Sequence, residues 1–251
     1  MHLRPLWKDS RPEELRSWHP LSDDLLQFLA SSAPAAPLSA SASQATARVI
    51  GVGHSIGAIV TLRAALRDPG KFHALVLIDP VLFVPSFMLL WKMMILLGLA
   101  DRLHPLIPGA RKRRRTFDNL EKVYRSYRNR EVFRYMGAEN LRIYIEGMTQ
   151  PTSDGKYELV YSPDWEAQIY RTGMQDFDIW RELPNLKVPT LFIRGAETDT
   201  FLEPAARLVK RKQPKAWVET LDKSTHLVPL ERPQEVFDSM QAFLINSSNR
   251  G

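Results

Sequence analysis

A serine between two glycines, a histidine near the end of the chain and a few carboxylates are the residues of this 251-residue sequence whose types and spacing can do chemistry. Gly53-His54-Ser55-Ile56-Gly57 has the form G-x-S-x-G. Where such a turn joins a strand to a helix, the serine sits on a sharp bend that projects its hydroxyl above the sheet. Glycines two residues to either side let strand and helix approach, and the N–H of Ile56 at the helix start would face a developing oxyanion. A serine hydroxyl is a weak nucleophile without a base. Six histidines are available: His2, His19, His54, His73, His104 and His226. His54 adjoins Ser55, and consecutive side chains diverge, so it is a poor base and is kept as a candidate substrate contact. His226 lies in the late loop Ser224-Thr225-His226-Leu227-Val228-Pro229 and is the expected base. That base needs a carboxylate to fix its tautomer and stabilise the imidazolium. Asp199, in the loop Gly195-Ala196-Glu197-Thr198-Asp199-Thr200-Phe201 after the strand before the last one, is preferred, and Ser55, Asp199 and His226 then follow the chain order nucleophile, acid, histidine. Asp79 and Glu197 stay open as alternative acids.

The elements that must position these groups can be read on either side. Val49-Ile50-Gly51-Val52 is a short apolar run of the kind that forms a buried strand, and Ile59 to Leu66 has helix composition, stopped by Asp68-Pro69-Gly70. Ala74 to Ile78 is a second strand, so the stretch is a βαβ unit with parallel strands. The alternation breaks from Val81 to about Leu183, where apolar residues recur at helical spacing (Phe117, Leu120, Tyr124, Tyr127; Leu141, Tyr144, Ile145, Met148). It returns with strands at Pro189–Arg194 and Ala216–Leu221 and helices at Glu203–Lys212 and Arg232–Ile245. A short helix is expected over Leu21–Leu29, and the Ala/Ser/Pro-rich stretch from Ser31 to Ala47 reads as a surface loop. The expected organisation is an α/β core formed by residues 1–80 and 184–251, with a mostly helical insertion over 81–183.

Composition narrows the function. Hydrophobic residues are 44% and charged residues 25%, the balance of a globular chain. The absence of cysteine excludes a disulfide scaffold, a thiol nucleophile and cysteine-ligated metals, and no metal or organic cofactor is expected. A cytoplasmic setting is compatible with that absence. The net charge of +6 raises the question of nucleic acid, but the basic run Arg111-Lys112-Arg113-Arg114-Arg115 reads as a solvated helix start with no interleaved aromatic pattern. Val84 to Ala100 is the most apolar stretch. It is too short to span a bilayer and carries Pro85 and Lys92. The leading expectation is packing inside the insertion or a pocket wall for a greasy substrate, with Phe87 and Trp91 as candidate substrate contacts. Adsorption to a membrane surface is the lesser reading.

With G-H-S-I-G after VIGV, LFIRG followed by acids, and THLVPLERP near the end, the chain resembles the α/β-hydrolase superfamily from about Arg4 onward. Within it, the chain is similar to capped single-domain serine hydrolases with a GHSxG turn. The resemblance implies a mostly parallel sheet with a helical cap. It also implies lipase-like or esterase cleavage of a small-molecule ester or related acyl bond through an acyl-Ser55 intermediate. Carbon–carbon bond hydrolysis by the same triad is a further possibility within the resemblance, whereas relatives that use an aspartate at the turn are excluded by Ser55. Two departures stand out. The family pattern places the acid three residues after the strand-ending glycine, where this chain has Thr198. Family members also carry several strands and a His-Gly loop before the elbow, and the first fifty residues here show neither. The sheet is therefore expected to be incomplete at its N-terminal side and to supply one oxyanion donor, Ile56. A catalytically impaired or purely binding member is the competing expectation.

Overall fold

Four runs of aliphatic and β-branched residues assemble into one parallel sheet, and their shared register places the chemistry-bearing residues at one end. The computed structural model describes residues 1–32 and 48–248. The loop expected over Ser31–Ala47 therefore lies, from residue 33 on, outside the described residues. In chain order, helix α1 (His19–Ser31) precedes strand β1 (Val49–His54), helix α2 (Ile56–Arg67) and strand β2 (Phe72–Ile78). The alternation then breaks. Helices α3 (Pro85–Leu96), α4 (Ala100–Leu103) and α5 (Ile107–Arg111) follow, and then strand β3 (Thr116–Phe117) and helices α6 (Leu120–Arg128) and α7 (Ala138–Met148). Strands β4 (Thr149–Pro151) and β5 (Tyr157–Leu159) and helices α8 (Pro163–Thr172) and α9 (Phe177–Glu182) complete this insertion. The core resumes with β6 (Thr190–Gly195), α10 (Glu203–Lys212), β7 (Trp217–Leu221), α11 (Val228–Glu231) and α12 (Pro233–Ser248).

The sheet order is β1-β2-β6-β7, all parallel. β2 is buried on both faces, as its near-continuous apolar sequence requires. On one face Phe72, Leu75, Leu77 and Phe192 pack with Ile59, Leu62 and Ala65 of α2. On the other, Ala74, Val76, Ile78, Leu191 and Ile193 pack against Val236 and Phe243 of α12. Among the described residues β1 pairs with β2 alone, and its Ile50 and Val52 side chains are exposed. On its other face β1 carries glycine because α2 comes too close for anything larger. A Cβ at Gly53 would lie 2.4 Å from the Gly57 carbonyl oxygen. At Gly57, by contrast, a Cβ would meet nothing within 4 Å, so only the first glycine of the motif is demanded by packing.

The inserted segment is not wholly helical. β3, β5 and β4 form a small antiparallel sheet in that order, which the helical periodicity of the sequence did not disclose. Its apolar centre joins Phe117, Val123, Tyr127, Phe133, Leu141, Ile145 and Leu159, with Leu227 and Leu230 of the core packed against it. A buried arginine fixes the other end of the insertion. Arg63 of α2, almost wholly buried, pairs with Asp176 and, at 2.8 Å, with Asp178. Its charge is accommodated inside because two carboxylates answer it.

Candidate active site

The register explains why distant residues converge. His54, Ile78 and Ile193 lie side by side across β1, β2 and β6. Ser55 and Asp79 are therefore the first residues beyond two adjacent strands, and the loop after Gly195 begins two positions further along the third. His226 arrives from the loop after β7, which pairs with β6. Its Nε2 is 2.8 Å from Ser55 Oγ. Its Nδ1 is 2.8 Å from Asp79 Oδ2. A carboxylate only accepts, so the proton is on Nδ1, and Nε2 is free to accept the serine proton.

Two backbone features show that this geometry is held under strain. Ser55 has φ 58° and ψ −124°, and Asp79 has φ 41°. They are two of only four non-glycine residues with positive φ among the described residues, so the unfavourable conformations concentrate here. Each costs about 1–3 kcal/mol and persists only because its surroundings over-determine it. For Ser55 those surroundings include its N–H bonded to the Ile78 carbonyl at 3.0 Å; for Asp79, its N–H bonded to that of Ile193 at 2.7 Å.

The Asp79 carboxylate is fully buried, so its lone pairs must be met by protein donors. The Gly195 N–H donates to Oδ1 at 3.0 Å, and Thr200 Oγ1 donates to Oδ2 at 2.7 Å. Thr198 Oγ1 also donates to Oδ2. Thr200 Oγ1 lies 2.8 Å from His226 Nδ1 as well, so it touches both partners of the pair. Gly195 must be glycine for this loop to close, since a Cβ there would lie 2.3 Å from the Thr225 carbonyl oxygen. Neither threonine was singled out as a site residue from sequence beyond noting that Thr198 occupies the family's acid position, and that was the available signal.

This arrangement corrects the preference for Asp199. The Asp199 side chain is exposed and makes no hydrogen bond or ion pair among the described residues. The loop turns after Gly195 so that Thr198 and Thr200 point inward while the residue between them points out. Glu197 is exposed too, and is engaged elsewhere: it accepts from Tyr135 Oη at 2.6 Å and pairs with Arg134, linking the core to the inserted segment. Phe87 and Trp91 do not join the hydrogen-bonded group around Ser55. Trp91 is buried with Ala100 and Met174, edge-on to His104, whereas Phe87 is exposed and stacked on Phe83. Ile56 opens α2, so its N–H is among the helix-initiating donors that have no intrahelical acceptor. His54 turns away from a base's position. Its Nε2–H donates to the His226 carbonyl at 2.8 Å, which makes it a support for the histidine loop. That loop is also gripped by Glu231, which accepts from the Thr225 N–H at 2.6 Å and from its hydroxyl at 2.8 Å.

The sequence profile of the alpha/beta hydrolase family matches residues 7–239. The chain belongs to the alpha/beta hydrolase family. Solved structures agree in fold. An E-2-(acetamidomethylene)succinate hydrolase is similar with a TM-score of 0.68 at 21% identity, over 94% of this chain and 76% of that one. A peroxisomal alpha-beta-hydrolase of Saccharomyces cerevisiae gives 0.67 at 17% identity, over 91% of this chain and 59% of that one. A Mycobacterium tuberculosis esterase gives 0.63 at 18% identity, over 91% and 69%. No curated protein sequence matches the chain.

In this alpha/beta hydrolase the His54 imidazole has a measurable signature. Burial, reinforced by the neighbouring His226, pulls its pKa down from 6.5 to about 4. Below that value the fold must hold a buried cation, or the histidine must leave its site. Because the folded-state pKa is depressed, the neutral ring's stabilising contribution is fully present above the unfolded value. It is lost as pH falls from about 6.5 through about 4. The loss amounts to about 3 kcal/mol at the acid end. Thermal melts across that window should show the fall, and His54→Gln, which keeps an N–H donor without a titrating group, should flatten it. An unchanged pH dependence in His54→Gln would exclude His54 as the source.

Proposed function

We propose that this chain is a serine hydrolase that cleaves an ester or related acyl bond of a small molecule through an acyl-Ser55 intermediate. The observation that carries this reading is the continuous chain of hydrogen bonds Ser55 Oγ–His226 Nε2 and His226 Nδ1–Asp79 Oδ2, each 2.8 Å. In the forward step Ser55 Oγ attacks the acyl carbon while its proton passes to His226 Nε2. Asp79 stabilises the imidazolium without itself taking the proton. The carbonyl oxygen becomes an oxyanion facing the Ile56 N–H. As the tetrahedral intermediate collapses, the bond to the leaving group breaks and His226 delivers its proton to that group. Water then attacks the acyl-serine with His226 again as base, releasing the acid and restoring the Ser55 hydroxyl. The inserted segment over 81–183 is read as the cap, reaching the core beside His226 through Leu227 and Leu230.

The structural relatives include an esterase and a hydrolase, in keeping with acyl-bond cleavage. A second reading, a hydrolase-like protein with impaired or no turnover, is favoured by one observation: β1, which delivers Ser55, has a single neighbouring strand among the described residues. Unpaired backbone groups at such an edge leave the strand's position less constrained. Hydrolysis of p-nitrophenyl acetate and butyrate separates the readings. The enzyme reading predicts turnover well above the uncatalysed rate, and its loss by several orders of magnitude in His226→Ala. A folded protein with no turnover above the His226→Ala background selects the second.

A further inference from the structure

The inserted segment exposes an apolar helix where the sequence led one to expect a packed one. Of the twelve residues of α3 only Met88 and Trp91 are buried. Phe87, Leu89, Leu90 and Met93 are exposed, as are Leu103 and Leu106 further along, and Leu96 and Leu97 reach 70% and 63% exposure. Contiguous apolar patches of this extent are rare on proteins that face only water. Among the described residues no helix is long and apolar enough to cross a membrane.

What lies beside this surface indicates what covers it. Residues 85–115 contain seven Lys or Arg and one Asp, so this stretch alone carries a net charge equal to that of the entire chain, +6. At the end of α5 three of these cations, Lys112, Arg113 and Arg114, line a cavity of about 400 Å³ whose wall also includes Leu106, Tyr127 and, from outside this stretch, Lys122 and Arg130. Its wall holds five Lys or Arg side chains and one carboxylate, Glu166, which pairs with Arg113 at 3.0 Å. Tyr127 is almost wholly buried, and its hydroxyl has no hydrogen-bond partner among the described residues. A buried hydroxyl left unpaired costs free energy unless a ligand meets it. Leu106 belongs both to the apolar surface and to the cavity wall, so the greasy face and the cationic recess adjoin.

We propose that α3 to α5 form a docking surface for an anionic phospholipid bilayer. The exposed side chains of α3 enter the boundary between headgroups and acyl chains, and a lipid phosphate sits in the cationic cavity with the Tyr127 hydroxyl donating to it. The two features answer the two halves of such a lipid. Apolar burial supplies adhesion, and basic residues supply the preference for negative charge. The inference does not depend on catalysis, so Ser55→Ala binds membranes as the wild type does.

Co-sedimentation with phosphatidylcholine vesicles, with and without phosphatidylglycerol, tests it. Wild type should bind the anionic vesicles at least ~10-fold more tightly than the neutral ones, and lose that margin at high salt. Leu89→Ser/Leu96→Ser should lower binding to both. Lys112→Glu/Arg114→Glu should erase the anionic preference, by ~10-fold or more. Tyr127→Phe, which keeps the ring and its packing, should weaken anionic binding about 3- to 10-fold. Circular dichroism and the p-nitrophenyl esterase rate of each variant report folding independently. The proposal is overturned if wild type ignores anionic vesicles, if it binds neutral vesicles equally well, or if the charge-reversed protein binds unchanged. It is overturned too if Leu89→Ser/Leu96→Ser converts a dimer to a monomer while wild type binds no vesicles, which would assign the surface to a second copy of the chain.

Discussion

Asp79→Asn should lower kcat about 10³–10⁴-fold while Asp199→Asn stays within about 3-fold of wild type. The difference follows from where the two carboxylates end up. Asp79 is the first residue after β2 and is fully buried, with His226 Nδ1 at 2.8 Å and three further donors on its oxygens. An asparagine there keeps the shape but presents an amide that can turn its NH₂ toward His226, favouring the tautomer with the proton on Nε2. That nitrogen could then no longer accept the proton of Ser55. Asp199 is exposed and outside the network. Replacing its carboxylate removes a solvated charge and nothing that touches the imidazole. Steady-state kinetics on a p-nitrophenyl ester, with circular dichroism to confirm folding, decides the matter. A crippled Asp199→Asn beside a nearly normal Asp79→Asn would return the acid to the loop after β6.

The second large effect couples activity to stability at one residue. Ser55→Ala should abolish turnover, by about 10⁴-fold or more, with little change in melting temperature, because alanine inherits the same unfavourable φ of 58°. Ser55→Gly should abolish it equally and yet raise the stability by about 1 kcal/mol, since glycine adopts that conformation without the Cβ penalty. The expected signature is thus two inactive proteins of which only the glycine variant melts higher. Equal melting temperatures in all three would mean that the bend at Ser55 stores no strain.

How much of this was legible in the sequence depended on how local the determinants were. The turn at Ser55 was legible because its residues are consecutive, the strands either side of the helix it opens are short apolar runs, that helix is stopped by Asp68-Pro69-Gly70 and the second strand by Asp79-Pro80. His226 was legible because few histidines exist and only one follows the last strand. The acid was not, because the choice depends on register between strands more than a hundred residues apart. Asp79 immediately follows Ile78, which pairs with His54 on one side and Ile193 on the other. Asp199 lies four residues beyond Gly195, where the loop has already turned it to solvent. Thr198 standing in the family's acid position was the clue that the carboxylate had to come from elsewhere. The small sheet of β3, β4 and β5 escaped because strands of two or three residues leave no period to read. The exposure of α3 escaped for a different reason. An apolar run reads as interior by default, and only the surrounding packing reveals which runs stay outside.

The central claim, that Ser55 is the nucleophile, is tested most directly by reacting the protein with a fluorophosphonate and locating the adduct by peptide mass spectrometry. The account predicts a single adduct on Ser55, absent from Ser55→Ala and strongly slowed in His226→Ala. An adduct on any other residue, or a folded wild-type protein that forms none, would contradict it.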